Sequence, residues 1–357
     1  MRRHATLVAV TTLLSAALAM IGAEALTRLA GWSGWRAPTR DDGLPVLHEP
    51  DPILGWRNRQ GSFVWPGRGR DRGRDIVMTF WADGLRATAP QRGHRAVELP
   101  LLGCSYTQGW AVTDEETYAW HLQTMLPDVT MLNYGTAGYG TYQSLLALEG
   151  HFARATRPAP LVVYGLIPAH EVRNVAPASW LRALTAVSHG GPLAVPFATL
   201  NDAGAVERHG PQSYPHWPLD RRLASIDLLE FGWTSLAMRG RREQARPVLE
   251  ALLLEMHDRA RTHGADLVVV ILDGSPEWSS HYVEFLSAHG IATVECAHPG
   301  IQQEQVPFYG HPNRRVHAYI ALCLASHLRS LLAAHDRADR RAPRETSSQV
   351  AAHPMRW

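Results

Sequence analysis

The chain has 357 residues, enough for one large domain or two modest ones with ample core material. Its 35 Lys and Arg against 33 Asp and Glu leave a net charge of +2, with the basic residues scattered, so there is no electrostatic case for a nucleic-acid partner. Cys104, Cys296 and Cys323 lie far apart, without CxxC or metal-ligand spacing; they are expected as buried thiols rather than as a disulfide framework.

In chain order, the first feature is an apolar segment. Arg2 and Arg3 precede an uncharged stretch from Ala5 to Ala23, and Glu24 is the first charge after it. As a helix that stretch spans roughly 28 Å, close to a bilayer core. Ala17-Leu18-Ala19 has the small residues of a signal-peptidase site, which would release a secreted protein. The apolar run continues past that point unbroken, which favours an uncleaved anchor over residues 1–30. The arginines are then cytoplasmic and the rest of the chain, at the cell membrane, faces outward into a compartment such as the periplasm.

Residues 31–95 are rich in Gly, Pro, Arg and Trp. Ser62–Trp65 and Ile76–Trp81 read as strands, so this is a β-containing lead-in whose aromatics need a body to pack on. From residue 96 the pattern becomes strand then helix. Val97–Leu102, Val129–Leu132, Leu161–Ile167, Asp266–Leu272 and Ile291–Val294 are short apolar runs, as expected of strands covered on both faces. Between them come a capping box at Thr113 and Glu116, a helix over Tyr142–Ala153, and a helical face of Val248, Leu252, Leu253, Met256 and Ala260 stopped by Gly264. A last helix covers Arg315–Leu332. The alternation predicts an α/β fold, a doubly wound, flavodoxin-like sheet of about five parallel strands flanked by helices, over residues 96–335. Residues 174–246, with Pro, Trp and His and little periodicity, read as an insertion, a candidate lid or substrate-binding element. Residues 336–357 read as a disordered tail.

Ligands bind such sheets beyond the carboxyl ends of the strands. After the first strand comes Gly103-Cys104-Ser105-Tyr106-Thr107-Gln108-Gly109, and after the second Asn133-Tyr134-Gly135-Thr136-Ala137-Gly138. His311-Pro312-Asn313 stands just before the last helix. These three blocks, in this order and at these strand positions, resemble the SGNH (GDSL-type) hydrolases over roughly residues 97–335. Asp51-Pro52-Ile53-Leu54-Gly55-Trp56 and Asp83-Gly84-Leu85-Arg86 resemble pieces that precede the core in exported members.

The resemblance implies an α/β esterase without a cofactor. Ser105 would be the nucleophile and His311 its general base. The backbone N–H groups of Ser105 and Gly138 would form the oxyanion hole, each donor worth roughly 3 kcal/mol. Two positions depart from the family pattern. No Asn follows the third strand where a further oxyanion donor belongs, which leaves His170, Asn174 or no donor at all. The acid that should precede His311 falls at Phe308-Tyr309-Gly310, none of them acidic, which leaves Glu304 or Asp273 by loop position, or no acid.

Plainer roles stand beside these. Ser105 reads also as a helix N-cap, Cys104 as a packed thiol more readily than as the nucleophile, Gly138 as a turn glycine, His317 as a solvent-facing or helix-packing residue, and His170 with Glu171 as a salt-bridging pair. Without HxxxH or HExxH spacing, no metal is expected. Three functions are consistent with the sequence: an esterase acting on a small-molecule or glycan ester, acetyl esters among them; a polysaccharide O-acyltransferase using the same acyl-serine, with Trp-rich segments for sugar stacking; or a silent binding or assembly protein of the same fold.

Overall fold

A computed structural model describes residues 2–36, 44–66, 74–187, 193–306 and 310–341. The amino-terminal helix α1 (Arg2–Leu29) is followed by two antiparallel hairpins, β1 (His48–Asp51) with β2 (Gly55–Asn58) and β3 (Gly61–Trp65) with β4 (Ile76–Phe80). The main domain then begins: β5 (Val97–Leu102), the short α2 (Ser105–Gln108), α3 (Tyr118–Met125), β6 (Val129–Asn133), α4 (Thr141–Phe152) and β7 (Leu161–Leu166). Between β7 and the next long helix lie α5 (Ala169–Val175), α6 (Ala178–Val187), the hairpin β8 (Val195–Leu200) and β9 (Val206–Gln212), α7 (Ala224–Ala237) and α8 (Arg239–Glu243). The domain closes with α9 (Ala245–Thr262), β10 (Asp266–Ile271), α10 (Pro276–Ala288), β11 (Ala292–Glu295), the two-residue ribbon β12 (Gln305–Val306) and β13 (His311–Pro312), and α11 (Arg314–Arg341).

The central sheet has the order β11-β10-β7-β5-β6, and every pair in it is parallel. Counting only these strands along the chain, the order is 2-1-3-4-5, the flavodoxin-like winding, whose direction reverses between β5 and β7. Residues alternate between faces. Leu99, Leu101, Val163 and Val270 pack with α3 and α11 on one face. Leu102, Val162, Leu166 and Val269 pack with α4, α9 and α10 on the other. Two covered faces explain why β6 and β7 are buried along their whole length.

The lead-in is stitched to this sheet by Arg86. Its N–H donates to Asn133 O at the end of β6 (3.0 Å), and its guanidinium, wholly buried, pairs with Asp114 at 2.9 Å and donates to Val112 O.

Three sequence expectations change. Cys296 and Cys323 are not separate thiols: they form a disulfide that ties α11 to the end of β11, and Cys104 alone stays free and buried. Nothing in linear spacing reveals this, because the sheet and the last helix bring the two residues together. The last helix continues past Leu332 to Arg341, so the start of the expected disordered tail is helical; residues 342–357 lie outside the described residues. The Thr113–Glu116 capping box opens a single 3₁₀ turn over Asp114–Glu116. The α-helix itself starts one turn later, where Thr117 accepts from Trp120 N–H.

Candidate active site

Ser105 follows β5 directly, at the carboxyl edge of the sheet and beside the winding reversal. The turn that carries it needs glycine at 103. Gly103 has φ +148°, and a Cβ there would sit 2.3 Å from Thr107 Oγ1 and 3.1 Å from Gly165 O on the neighbouring strand. Ser105 opens α2 with Cys104 in the cap position, so Ser105 is the first helical residue and not the cap. Its carbonyl accepts from the N–H groups of Gly109 and Trp110, and its side chain is left to face the site.

His311 arrives from the far end of the chain. Its Nε2 lies 2.9 Å from Ser105 Oγ across 206 positions of sequence. The β12–β13 ribbon pairs Val306 with His311, and Asn313 locks the turn after it. The Asn313 amide donates to Glu304 Oε2 (2.7 Å), while its Oδ1 accepts from the N–H groups of Arg315 and Val316, capping α11. The asparagine two residues after the histidine therefore fixes the helix entry, and the fixed entry in turn holds the histidine. The rings of Tyr106 and Trp110 stand 5.8 and 6.3 Å from the imidazole and wall the pair. A separate cleft of about 320 Å³, lined by Ala111 to Thr113 on one side and by Glu304, Asn313 and Arg314 on the other, includes neither Ser105 nor His311 in its lining.

The second glycine-rich turn is bolted to the Ser105 turn by Asn133. Its Nδ2 donates to Thr107 O and its Oδ1 accepts from Gly135 N–H, both at 2.9 Å. Gly135 is packed so closely that a Cβ would fall 2.2 Å from Gln108 N. Gly138 has φ +85°, with Trp56 of the lead-in against it, and the Trp56 indole N–H donates to Ala137 O (3.0 Å). Asn58, also from the lead-in, is buried beneath these turns. It donates to Gly84 O, Gly135 O and Thr136 Oγ1 and accepts from the Gln108 side chain at 2.8 Å.

The remaining expected residues have other partners. His170 is fully buried, with Nδ1 2.7 Å from Tyr164 OH, which in turn lies 2.7 Å from Thr141 Oγ1. Burial, helped by Arg173, holds its imidazole far below the ordinary histidine range, so it is neutral. Asn174 accepts from Tyr142 N–H and donates to Thr141 Oγ1, serving the start of α4. Of the two candidate acids, Asp273 accepts from Tyr106 OH (3.3 Å) and from Gly274 N–H. Glu304 holds Asn313 and lies 3.4 Å from Arg315 Nη1; the Asn313 hydrogen bond, more than Arg315, keeps its carboxyl below the usual range. Phe308 and Tyr309 lie outside the described residues. Glu171 accepts from Trp278 Nε1 and Tyr282 OH and pairs with Arg246, not with His170. His317 is buried in α11 and accepts from Tyr118 N–H at 3.2 Å. Among the described residues, one group could gather an ion: His216, Asp220 and Glu230 in the insertion. There His216 Nδ1 already lies 2.6 Å from Asp220 Oδ2.

Sequence reasoning missed Asn58, Trp56, Gln108 and Asn133 as parts of the site's frame. Trp56, Gln108 and Asn133 stand inside recognisable motifs, but their spacing gives none of them a role of its own.

A parallel α/β sheet with a serine and a histidine in hydrogen-bond contact beyond its carboxyl edge defines the class of the molecule. No protein-family model matches the chain, and no curated protein matches it. Among solved structures it is similar to a lipolytic G-D-S-L family protein from Veillonella parvula: 13% identity over 65% of this chain and 97% of that one, TM-score 0.39. It is similar to TesA at 15% identity, over 66% of this chain and 99% of that one, TM-score 0.39. A third is Axe2, an acetylxylan esterase from Geobacillus stearothermophilus, in its S15A mutant: 11% identity, 68% and 96% coverage, TM-score 0.32.

Proposed function

We propose that the chain is a serine esterase of SGNH type, cofactor-free, working on the outer side of the membrane that α1 enters. The observation that carries this reading is the 2.9 Å contact between His311 Nε2 and Ser105 Oγ beside the winding reversal of the sheet. In the proposed reaction, Ser105 Oγ attacks the ester carbonyl while His311 Nε2 takes its proton. The tetrahedral oxyanion is met by the backbone N–H groups of Ser105 and Gly138. Its collapse breaks the C–O bond, and His311 returns the proton to the leaving alcohol. Water then attacks the acyl-serine with His311 again as base, releasing the acid and restoring Ser105. The α1 helix, whose most apolar 18-residue stretch has mean hydropathy 2.0, and the Cys296–Cys323 bridge both suit an oxidising, membrane-apposed location.

The test is a fluorophosphonate probe on the full chain in detergent. Labelling mapped to Ser105, lost in Ser105→Ala and strongly slowed in His311→Ala, is the expected result. No labelling of the wild type, or equal labelling of Ser105→Ala, overturns the reading and favours a silent protein of the same fold. Product release from an acetyl ester that needs a glycan acceptor would instead place the chain among acyltransferases.

A further inference from the structure

Helix α7 has its polarity reversed for a surface helix. It buries Asp227, Glu230 and Thr234 against the body of the protein. Outward it presents Leu228, Leu229, Gly232, Trp233 and Leu236, which share one face at helical spacing. Leu229 is 60% exposed and Trp233 and Leu236 are each 63% exposed, so the face has no cover within the described residues. Single exposed apolar residues are ordinary, whereas a whole helical face of them with the carboxylates turned inward is not. The inward groups are well engaged. Asp227 accepts from Trp32 Nε1 (2.6 Å) and pairs with Arg182 (2.7 Å), and Glu230 accepts from Trp217 N–H. The helix is therefore fixed in this orientation.

Its position relative to α1 identifies what covers the face. The Glu24 carboxylate accepts from Ala224 N–H (3.0 Å) and from Ser225 N–H and Oγ (2.9 and 2.7 Å), while Arg28 donates to Arg222 O. Glu24 is the first charge beyond the uncharged stretch and so marks the outer edge of the segment that fits a bilayer. The first turn of α7 is bound to that edge. Arg221 and Arg222, in the turn just before it, are exposed where anionic headgroups would lie, and Trp233 is a residue type favoured at the interface.

We propose that α7 lies in the outer leaflet interface beside α1, with Leu229, Trp233 and Leu236 in the lipid. The domain thus rests on the membrane through a second, monotopic contact and does not swing freely on its anchor. This rests on reading α1 as a membrane anchor.

The test places a single environment-sensitive fluorophore on the full chain, through Leu229→Cys or Leu236→Cys, in vesicles of phosphatidylethanolamine and phosphatidylglycerol. Leu14→Cys reports on α1, and Ala203→Cys, in an exposed turn, is the aqueous control. Blue-shifted emission at 229 and 236, quenched by nitroxide-bearing lipids as at 14 and unlike 203, is the expected result. Quenching at 14 alone, with 229 and 236 behaving like 203, overturns the contact but leaves the anchor standing. Absence of quenching at 14 as well removes the anchor reading and this proposal with it. A blue shift at 229 that lipid nitroxides do not quench, and that grows with protein density, assigns the face to a second copy and overturns the lipid contact.

Discussion

The indole of Trp56 occupies the space that a side chain at residue 138 would need. A Cβ on Gly138 would stand 3.1 Å from Trp56 Cζ2, on a backbone at φ +85° that L side chains rarely adopt. Gly138→Ala therefore meets strain from two sources. The left-handed conformation alone costs about 1–2 kcal/mol, and the indole must also move. Urea melts should show a loss of about 2 kcal/mol. Trp56→Phe in the same chain should lower the stability of the wild-type background yet shrink the further loss that Gly138→Ala causes.

Arg86 and Asp114 are a buried pair that joins the lead-in to the main sheet. Desolvation lowers the Arg86 pKa, and the Asp114 charge opposes that shift and keeps the guanidinium ionised. Removing one partner leaves the other charged without water, so Arg86→Met or Asp114→Leu alone should each cost about 3–5 kcal/mol. The double variant should cost less than either single change. Chemical denaturation of the four proteins measures the coupling.

Besides His170, three histidines are held in their neutral form by desolvation. Burial holds His317 down to about 3, and His48 and His151 to about 4, against 6.5 for an exposed imidazole. As pH falls below 6.5 the unfolded chain takes up protons that the folded chain refuses. The stability these groups contribute is therefore complete above about pH 6.5 and is lost as the pH drops toward the folded values. Each fully titrating group adds a slope of up to about 1.4 kcal/mol per pH unit. His317→Asn keeps an acceptor for Tyr118 N–H and removes one such group. Its melting temperature should fall less steeply than that of the wild type between about pH 6.5 and about pH 4.

The Cys296–Cys323 bridge closes a loop of sequence separation 27. Loop-closure entropy assigns such a cross-link about 3–4 kcal/mol. Denaturation under reducing conditions, or of Cys296→Ala with Cys323→Ala, should show a loss of that order, while Cys104, free and buried, should resist alkylation until the protein unfolds.

The sheet was legible because its strands are continuous apolar runs covered on both faces, a local property of Leu161–Leu166 and Asp266–Ile271. Ser105 and His311 were legible because glycine spacing and the Pro-Asn after His311 mark turns at strand and helix ends. The frame around them was not. Asn58, Gln108 and Asn133 act through hydrogen bonds between distant segments, and a lone Asn or Gln carries no sign of its partner. Helix α7 escaped for the opposite reason. Residues 174–246 read as having little periodicity, yet α7 carries one at helical spacing; its charged stripe faces inward, so the usual association of polar residues with the surface misplaces it.

The proposed chemistry turns on whether Ser105 becomes acylated with His311 as its base. The direct measurement is peptide mass spectrometry of the full chain after brief exposure to an activated acetyl ester, with Ser105→Ala and His311→Ala beside it. A burst of product and an acetyl group on the Ser105 peptide of the wild type are the predicted result. Ser105→Ala should carry no adduct, and steady-state rates should be lower by about six orders of magnitude in either variant, with the double variant no worse. An acetyl group carried on another residue, or turnover that survives Ser105→Ala, would contradict it.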